Sequence, residues 1–175
     1  MSKKKINIAV LGATGFAGLD LVYLLSKHPN VKISKLCATK NLGRSIAIFD
    51  KRIKKKLPKI SSTKNINWSL IDLVFLSLPN GEAQKFISKV YYKHKNLKFI
   101  DLSADFRIKN PKVYFNNYKI KHNATKLINK SLYSISEFVK SDIHRYRILA
   151  NPGCYPTSIQ IPLIPLIKKK LINNK

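Results

Sequence analysis

Three glycines spaced three residues apart, Gly12, Gly15 and Gly18, constrain the fold of this chain more than any other feature. They follow the apolar run "INIAVL" (6–11), which has the length of a strand, and they open a stretch with apolar residues at helical spacing up to Pro29. The run "VKISKLCA" (31–38) reads as a second strand. A strand, a glycine turn, a helix and a strand within about 33 residues predict a right-handed βαβ unit.

The rest of the chain continues this alternation of strands and helices. Apolar runs at 71–78, 97–103 and 146–150 predict further strands, and helices are predicted over 82–93 and near 136–144, with a long polar and aromatic loop after residue 103. The sequence therefore predicts an α/β fold, a doubly wound and mostly parallel sheet of the Rossmann-like type. We assign residues 1–150 to this dinucleotide-binding domain and residues 151–175 to the start of a second, catalytic domain.

The glycine turn predicts a nucleotide site. Glycines between a first strand and a helix permit a tight turn, a close approach of the backbone to a diphosphate, and close packing of helix on strand. The spacing is GxxGxxG, a variant of the common GxGxxG pattern. The predicted cofactor-binding residues of this turn are Gly12, Ala13, Thr14, Gly15, Phe16, Ala17 and Gly18.

The residues after the second strand favour NADP over NAD as the cofactor. An NAD site normally carries an acidic residue there to hold the ribose 2′-hydroxyl, and this chain has no acidic residue between Asp20 and Asp50. Thr39, Lys40 and Arg44 follow instead, and such groups suit a 2′-phosphate.

Polar residues also follow later strands, at the edge where ligands of such sheets bind. "LSLPNG" (76–81) puts Pro79 at a strand end, and we expect Pro79 to lie beside the cofactor. "IDLSADFRI" (100–108) contains Arg107, whose planar guanidinium suits a phosphate or carboxylate. An ion pair between Arg107 and Asp105 is the alternative.

The stretch "NPGCYPTS" (151–158) carries the candidate nucleophile. Cys154 lies between a Pro-Gly turn and a proline that suits the first turn of a helix. Unpaired N–H groups at a helix start favour a thiolate, the nucleophilic form of cysteine. A small apolar side chain in a turn is the alternative. The other cysteine, Cys37, forms no metal-ligand spacing with Cys154, so we predict no metal site and two free thiols in a reducing cytoplasm.

The net charge of +26 invites a nucleic-acid function, yet the pattern of basic residues argues against a specific one. Only 5 of the 34 basic residues are arginine, and the lysines are spread along the chain, so we expect nonspecific binding of polyanions only. The longest apolar runs are too short to span a bilayer, and we predict no membrane association.

With these motifs in place, the chain resembles the N-acetyl-gamma-glutamyl-phosphate reductases of arginine biosynthesis. "GATGFAG", "LSLPNG", "IDLSADFR" and above all "NPGCYPTS" are similar to that family's motifs in order and spacing. The resemblance implies that NADPH reduces an acyl phosphate to a semialdehyde through a thioester on Cys154. It further implies substrate contacts by Ser103, Arg107 and Asn151.

The resemblance covers essentially the whole chain, yet it implies only the N-terminal half of such a reductase. The family's histidine acid/base and its substrate and dimerisation domain follow the cysteine helix, so we expect the 175 residues alone to be inactive and a full-length chain to form homo-oligomers. Two alternatives stay open. One is a reductase of a sister acyl phosphate in lysine biosynthesis, and the other is a non-catalytic nucleotide-binding remnant or basic interaction protein.

Overall fold

Seven parallel strands form the centre of the protein. The computed structural model describes residues 4–64, 66–139 and 142–173. Within them, the sheet has the order β3-β2-β1-β4-β5-β7-β6, and every pairing is parallel. The strands are β1 (Ile6–Leu11), β2 (Val31–Cys37), β3 (Ile60–Ser61), β4 (Leu73–Leu76), β5 (Lys98–Asp101), β6 (Ser131–Tyr133) and β7 (Ile148–Ala150). The predicted Rossmann-like fold is confirmed.

The strand order creates a switch point beside β1. The chain runs outward from β1 to β2 and β3, and then returns to place β4 on the other side of β1. In sheets of this kind, ligands bind at the carboxyl ends of the strands beside such a reversal. The glycine turn follows β1, so it lies at this point of the sheet.

Alternate residues of β1 face two separate cores, because successive side chains of a strand point to opposite faces. Ile8 and Val10 pack with Val22 of helix α1 (Phe16–Lys27), on one face of the sheet. Ala9 and Leu11 pack on the other face with Ile87 of helix α2 (Glu82–Val90). These are all fully buried or nearly so. A strand that is buried on both faces needs apolar side chains at successive positions, which explains the nearly continuous apolar run "INIAVL".

Two local predictions are wrong. The predicted loop after residue 103 contains helix α3 (Pro111–Tyr118), which Asn110 caps by accepting hydrogen bonds from the N–H groups of Lys112 and Val113. The helix predicted near 136–144 is absent from its described residues, which form turns and the start of a single 3₁₀ turn at Ile143–Arg145. Residues 140 and 141 of that prediction lie outside the described residues. A short helix α4 (Thr125–Ile128) lies between α3 and β6.

Helix α5 (Cys154–Lys168) follows β7 and contributes no residue to either core. No residue of α5 is buried, and its exposed large apolar side chains include Tyr155, Ile159, Ile161 and Leu163. The helix stays continuous through two prolines. None of the helices in the described residues is long and apolar enough to cross a membrane.

Candidate active site

The glycine turn is built by close backbone contacts. The N–H groups of Gly12 and Ala13 both donate to the carbonyl of Cys37, at 2.9 and 3.0 Å, which ties the turn to the end of β2. Gly12 has a φ of 76°. A Cβ on Gly12 would lie 2.8 Å from the carbonyl carbon of Ser77 and overlap its oxygen, while a Cβ on Gly18 would overlap the carbonyl of Gly12. Glycine at both positions is therefore a steric requirement.

The start of α1 offers unpaired N–H groups beside this turn. Gly15 caps the helix, and the first intrahelical hydrogen bond runs from the N–H of Leu19 to the Gly15 carbonyl, at 2.9 Å. The N–H groups of the first turn therefore have no intrahelical partner, and the helix dipole makes this end positive. Gly15, Phe16 and Ala17 are exposed, Phe16 by 91%. The glycine turn is therefore open to solvent and presents N–H donors of the kind that bind phosphate groups.

The turn after β2 is basic and exposed. Thr39, Lys40 and Arg44 are all solvent-exposed. The turn is fixed by backbone pairing with β3, because the N–H of Gly43 donates to the carbonyl of Ile60 at 2.8 Å and the N–H of Ile60 donates to that of Arg44 at 2.9 Å. The predicted basic side chains thus stand on an ordered turn next to the glycine turn.

Asp20 and Asp50, the acidic residues that flank this turn in the sequence, belong to a separate ion-pair cluster. Arg52 pairs with both Asp20 and Asp50. Hydrogen bonds from Arg52 hold the pKa of Asp50 below its usual value. Both carboxylates are therefore engaged by a cation.

Two loops interlock at the carboxyl ends of β4 and β5. The side-chain oxygen of Asn80 accepts from the N–H of Ala104 at 3.1 Å. In return, the fully buried carboxylate of Asp105 accepts from the N–H groups of Gly81 and Gln84, at 2.7 and 2.9 Å. Asp105 therefore caps the start of α2 from another loop, next to the exposed Pro79.

Two buried polar side chains donate further hydrogen bonds to Asp105. The Tyr114 hydroxyl donates to its carboxylate at 2.6 Å. The His122 Nδ1 accepts from the N–H of Ala124 at 3.2 Å, so its Nε2 carries the proton and donates to the Asp105 carbonyl at 2.7 Å. Burial lowers the pKa of His122, which favours this neutral form. His122 is thus a structural histidine.

Asp101 and Ser103 shape the loop that follows β5. The N–H of Ser103 donates to one carboxylate oxygen of Asp101 at 2.9 Å, and the Ser103 hydroxyl accepts from the N–H of Asp105 at 3.2 Å. The other Asp101 oxygen is buried without a hydrogen-bond partner. Burial raises the pKa of Asp101 to about 6, although the Ser103 donors act against this shift. Ser103 is itself buried, so its side chain serves this turn.

The turn that carries Cys154 is anchored to the same loop. The N–H of Asn151 donates to the Asp101 carbonyl at 2.8 Å. Arg107 donates from Nε to the carbonyl of Asn151 at 2.8 Å. Gly153 then caps α5, and its carbonyl accepts from the N–H of Thr157 at 3.0 Å. Cys154, the first residue of α5, is exposed.

The two cysteines lie in opposite surroundings. Cys37 is buried at the end of β2, and burial raises the pKa of its thiol to about 11. Such a thiol is inert at neutral pH. Cys154, by contrast, is solvent-accessible at the start of a helix.

The structure thus brings the predicted residues to one edge of the sheet in five turns, 12–18, 38–44, 77–82, 101–107 and 151–154. The roles of the individual residues stay predictions. Sequence reasoning missed Asn80 and the capping role of Asp105, because a cap supplied by another loop leaves no local pattern. No group of three or more metal-binding side chains occurs within the described part of the chain.

A parallel sheet with a glycine turn at its switch point and a helix start beside it defines the class of dinucleotide-binding domains. The chain belongs to the family described as "Semialdehyde dehydrogenase, NAD binding domain", which it matches over residues 7–146. A nicotinamide cofactor is what such a domain binds.

The relatives are reductases about twice as long as this chain. It is 39% identical over 174 residues to a probable chloroplastic N-acetyl-gamma-glutamyl-phosphate reductase of Arabidopsis thaliana, covering 99% of this chain and 43% of that one. It is also 39% identical to the N-acetyl-gamma-glutamyl-phosphate reductase of Rhodospirillum rubrum, covering 97% and 49%. The chain spans about half the length of the relatives it matches.

Solved structures share the fold. The aspartate semialdehyde dehydrogenase II of Vibrio cholerae, complexed with ASA, superposes with a TM-score of 0.66 at 16% identity, over 95% of this chain and 43% of that one. The aspartate semialdehyde dehydrogenase of Candida albicans, with NADP, gives a TM-score of 0.59 at 19% identity, over 95% and 48%.

Proposed function

We propose that this chain supplies the cofactor domain and the nucleophile of an NADPH-dependent reductase that converts N-acetyl-gamma-glutamyl phosphate to its semialdehyde. One observation carries the proposal: the exposed thiol of Cys154 lies on the same sheet edge as the glycine turn. Three strand spacings separate β1 from β7, about 14 Å. A dinucleotide held by its diphosphate at the start of α1 would span that distance, which would bring its nicotinamide to Cys154.

The glycine turn and the turn after β2 would hold the cofactor. The N–H groups at the start of α1 would bind the diphosphate, the side chains of Thr39, Lys40 and Arg44 would bind the 2′-phosphate, and Pro79 would contact the cofactor. When bound, NADPH supplies a hydride to the acyl carbon. The residues of this chain then have three tasks, namely orienting the acyl group, forming the covalent bond and stabilising the carbonyl oxygen.

Cys154 performs the covalent step. Its thiolate attacks the acyl carbon, the bond from that carbon to the phosphate oxygen breaks, and phosphate leaves with the electron pair. After hydride transfer to the resulting thioester, the carbon–sulfur bond breaks, which releases the aldehyde and restores the thiolate. The N–H groups in the first turn of α5, which begins at Cys154, would stabilise the developing oxyanion. The exposed Asn151 is proposed to contact the substrate. A contact by Ser103 stays a prediction, because its side chain is buried and hydrogen-bonded within its own turn.

A hybrid protein tests this function. In it, the present chain replaces the matching segment of the Rhodospirillum rubrum relative, which supplies the half that this chain does not span. We expect NADPH oxidation that depends on N-acetyl-gamma-glutamyl phosphate and releases one phosphate per NADPH. Faster turnover of a sister acyl phosphate would contradict the assigned substrate. A folded hybrid that binds NADPH but reduces neither compound would favour a nucleotide-binding remnant.

The cofactor preference can be measured on the chain itself. We expect NADPH to bind more tightly than NADH, and we expect Lys40→Ala to weaken NADPH binding about fivefold, or about 1 kcal/mol, with little effect on NADH. Fluorescence titration at physiological salt measures both affinities, and the salt is needed because a charge of +26 attracts any polyanion. The matched control is Lys89→Ala, an exposed lysine in the last turn of α2 at the opposite edge of the sheet. Equal losses for the two variants would contradict the assigned phosphate site.

A further inference from the structure

The Arg107 side chain donates hydrogen bonds to backbone carbonyls of two loops at the sheet edge that carries Cys154. Its Nε donates to the carbonyl of Asn151 at 2.8 Å, and its Nη2 donates to the carbonyl of Leu102 at 2.7 Å. The two acceptors belong to different loops, one after β7 and one after β5. The guanidinium therefore joins the cysteine turn to the neighbouring loop through two directional hydrogen bonds.

Gly153 fits closely against the same guanidinium. A Cβ at this position would lie 3.1 Å from Arg107 Nη1 and 3.6 Å from Pro156 Cδ. The backbone of Gly153 has φ −70° and ψ 164°, which any residue adopts, so its conformation does not require glycine. A Cβ there would require the Arg107 guanidinium to move by a few tenths of an ångström.

The loop that carries Arg107 is itself fixed by hydrogen bonds. Arg107 follows Asp105, whose buried carboxylate is fixed by the N–H groups of Gly81 and Gln84 and by the Tyr114 hydroxyl. The N–H of Arg107 also donates to the carbonyl of Ala104 at 3.2 Å, which closes the loop into a turn. The guanidinium therefore projects from a fixed base.

We propose that Arg107 is a positioning residue for Cys154: its guanidinium fixes the Asn151–Gly153 turn and with it the start of α5, whose first residue is Cys154. A lysine keeps the charge but not the planar pair of directional donors, so it cannot replace arginine in this role. The inference rests on the proposed function only in taking Cys154 as the nucleophile.

Alkylation of Cys154 by iodoacetamide, without substrate or cofactor, tests the proposal independently of turnover. We expect Arg107→Lys and Arg107→Ala to slow alkylation of Cys154 about fivefold at pH 7.5, because the helix start loses its fixed orientation. Added methylguanidinium should restore the rate in Arg107→Ala and leave Arg107→Lys unchanged. A role in stability alone would not produce this selective rescue. The matched control is Arg145→Lys, an exposed arginine paired with Asp142.

Gly153→Ala provides a second route to the same result. Its Cβ should shift the guanidinium by a few tenths of an ångström and slow alkylation, though less than Arg107→Lys does, and combining the two should add little, because both changes act on one contact. Should Arg107→Ala fail to fold, Arg107→Lys and Gly153→Ala decide the matter. Unchanged alkylation in folded variants, additive losses in the double variant, or absence of rescue in a folded Arg107→Ala would each overturn the proposal. Failure of the hybrid to turn over would leave these rates unaffected and so would concern the proposed function alone.

Discussion

Cys154→Ser is expected to lower acyl-phosphate reduction by the hybrid protein at least about a thousandfold, to background. The serine hydroxyl occupies the same place at the start of α5, but it is a far weaker nucleophile than a thiolate. The measurement is the loss of NADPH absorbance after addition of the acyl phosphate. NADPH binding should be nearly unchanged, since serine is close to cysteine in size and shape and the glycine turn proposed to hold the diphosphate keeps its structure.

Cys37→Ala is the matched control for this experiment. Cys37 is the only other cysteine, and its thiol is buried at the end of β2. Turnover should stay within about threefold of the unmodified hybrid, because the change removes only a small buried side chain. Substantial turnover by Cys154→Ser would show that the reaction does not pass through a covalent bond to this residue.

Gly12→Ala is expected to destabilise the protein by about 3 to 5 kcal/mol, which is a large part of the stability of a domain this size. Two costs add. The φ of 76° is unfavourable for alanine, and the new Cβ would overlap the Ser77 carbonyl between β1 and β4. The measurement is the free energy of unfolding in urea, followed by circular dichroism.

Gly43→Ala separates these two costs. Gly43 has a φ of 77°, nearly the same as that of Gly12, but a Cβ there would meet nothing within 4 Å. We expect it to cost about 1 kcal/mol, the conformational part alone. Equal losses for the two variants would contradict the steric account of the glycine turn.

The sequence predicted the sheet well because its signals are local. The glycine turn, the apolar run before it and the second strand lie within about 33 residues, and β1, α1 and β2 appear where they were expected. Buried parallel strands also carry continuous apolar runs, which identify β4 and β5 without an alignment. Their lengths were overestimated, since β5 ends at Asp101 where side chains begin to serve the loop.

The prediction failed where tertiary contacts decide local structure. Helix α3 begins with an Asn cap and a proline, which are recognisable signals, but its aromatic content suggested a loop. Tyr114 of this helix is fully buried and donates to Asp105. This tertiary contact stabilises a helix whose own sequence has only a weak helical tendency.

The sequence predicted which residues lie at the site but not the hydrogen bonds that they make. Arg107 was expected to contact substrate or to pair with Asp105. The structure gives Asp105 three donors from α2 and α3 and gives Arg107 two backbone carbonyls. Such partners are distant in sequence, so no spacing reveals them. The substrate contact of Arg107 stays a prediction.

The central claim is that Cys154 and the cofactor share one site, and protection of Cys154 by NADPH tests it most directly. Peptide mass spectrometry after timed exposure to iodoacetamide gives the alkylation rates of both cysteines. Cys154 should react at least about a hundredfold faster than Cys37, whose pKa of about 11 leaves few thiolates at neutral pH. Saturating NADPH should slow the reaction of Cys154 about tenfold, with a half-maximal effect at the dissociation constant of NADPH. An unchanged rate of Cys154 alkylation with NADPH bound would contradict the claim.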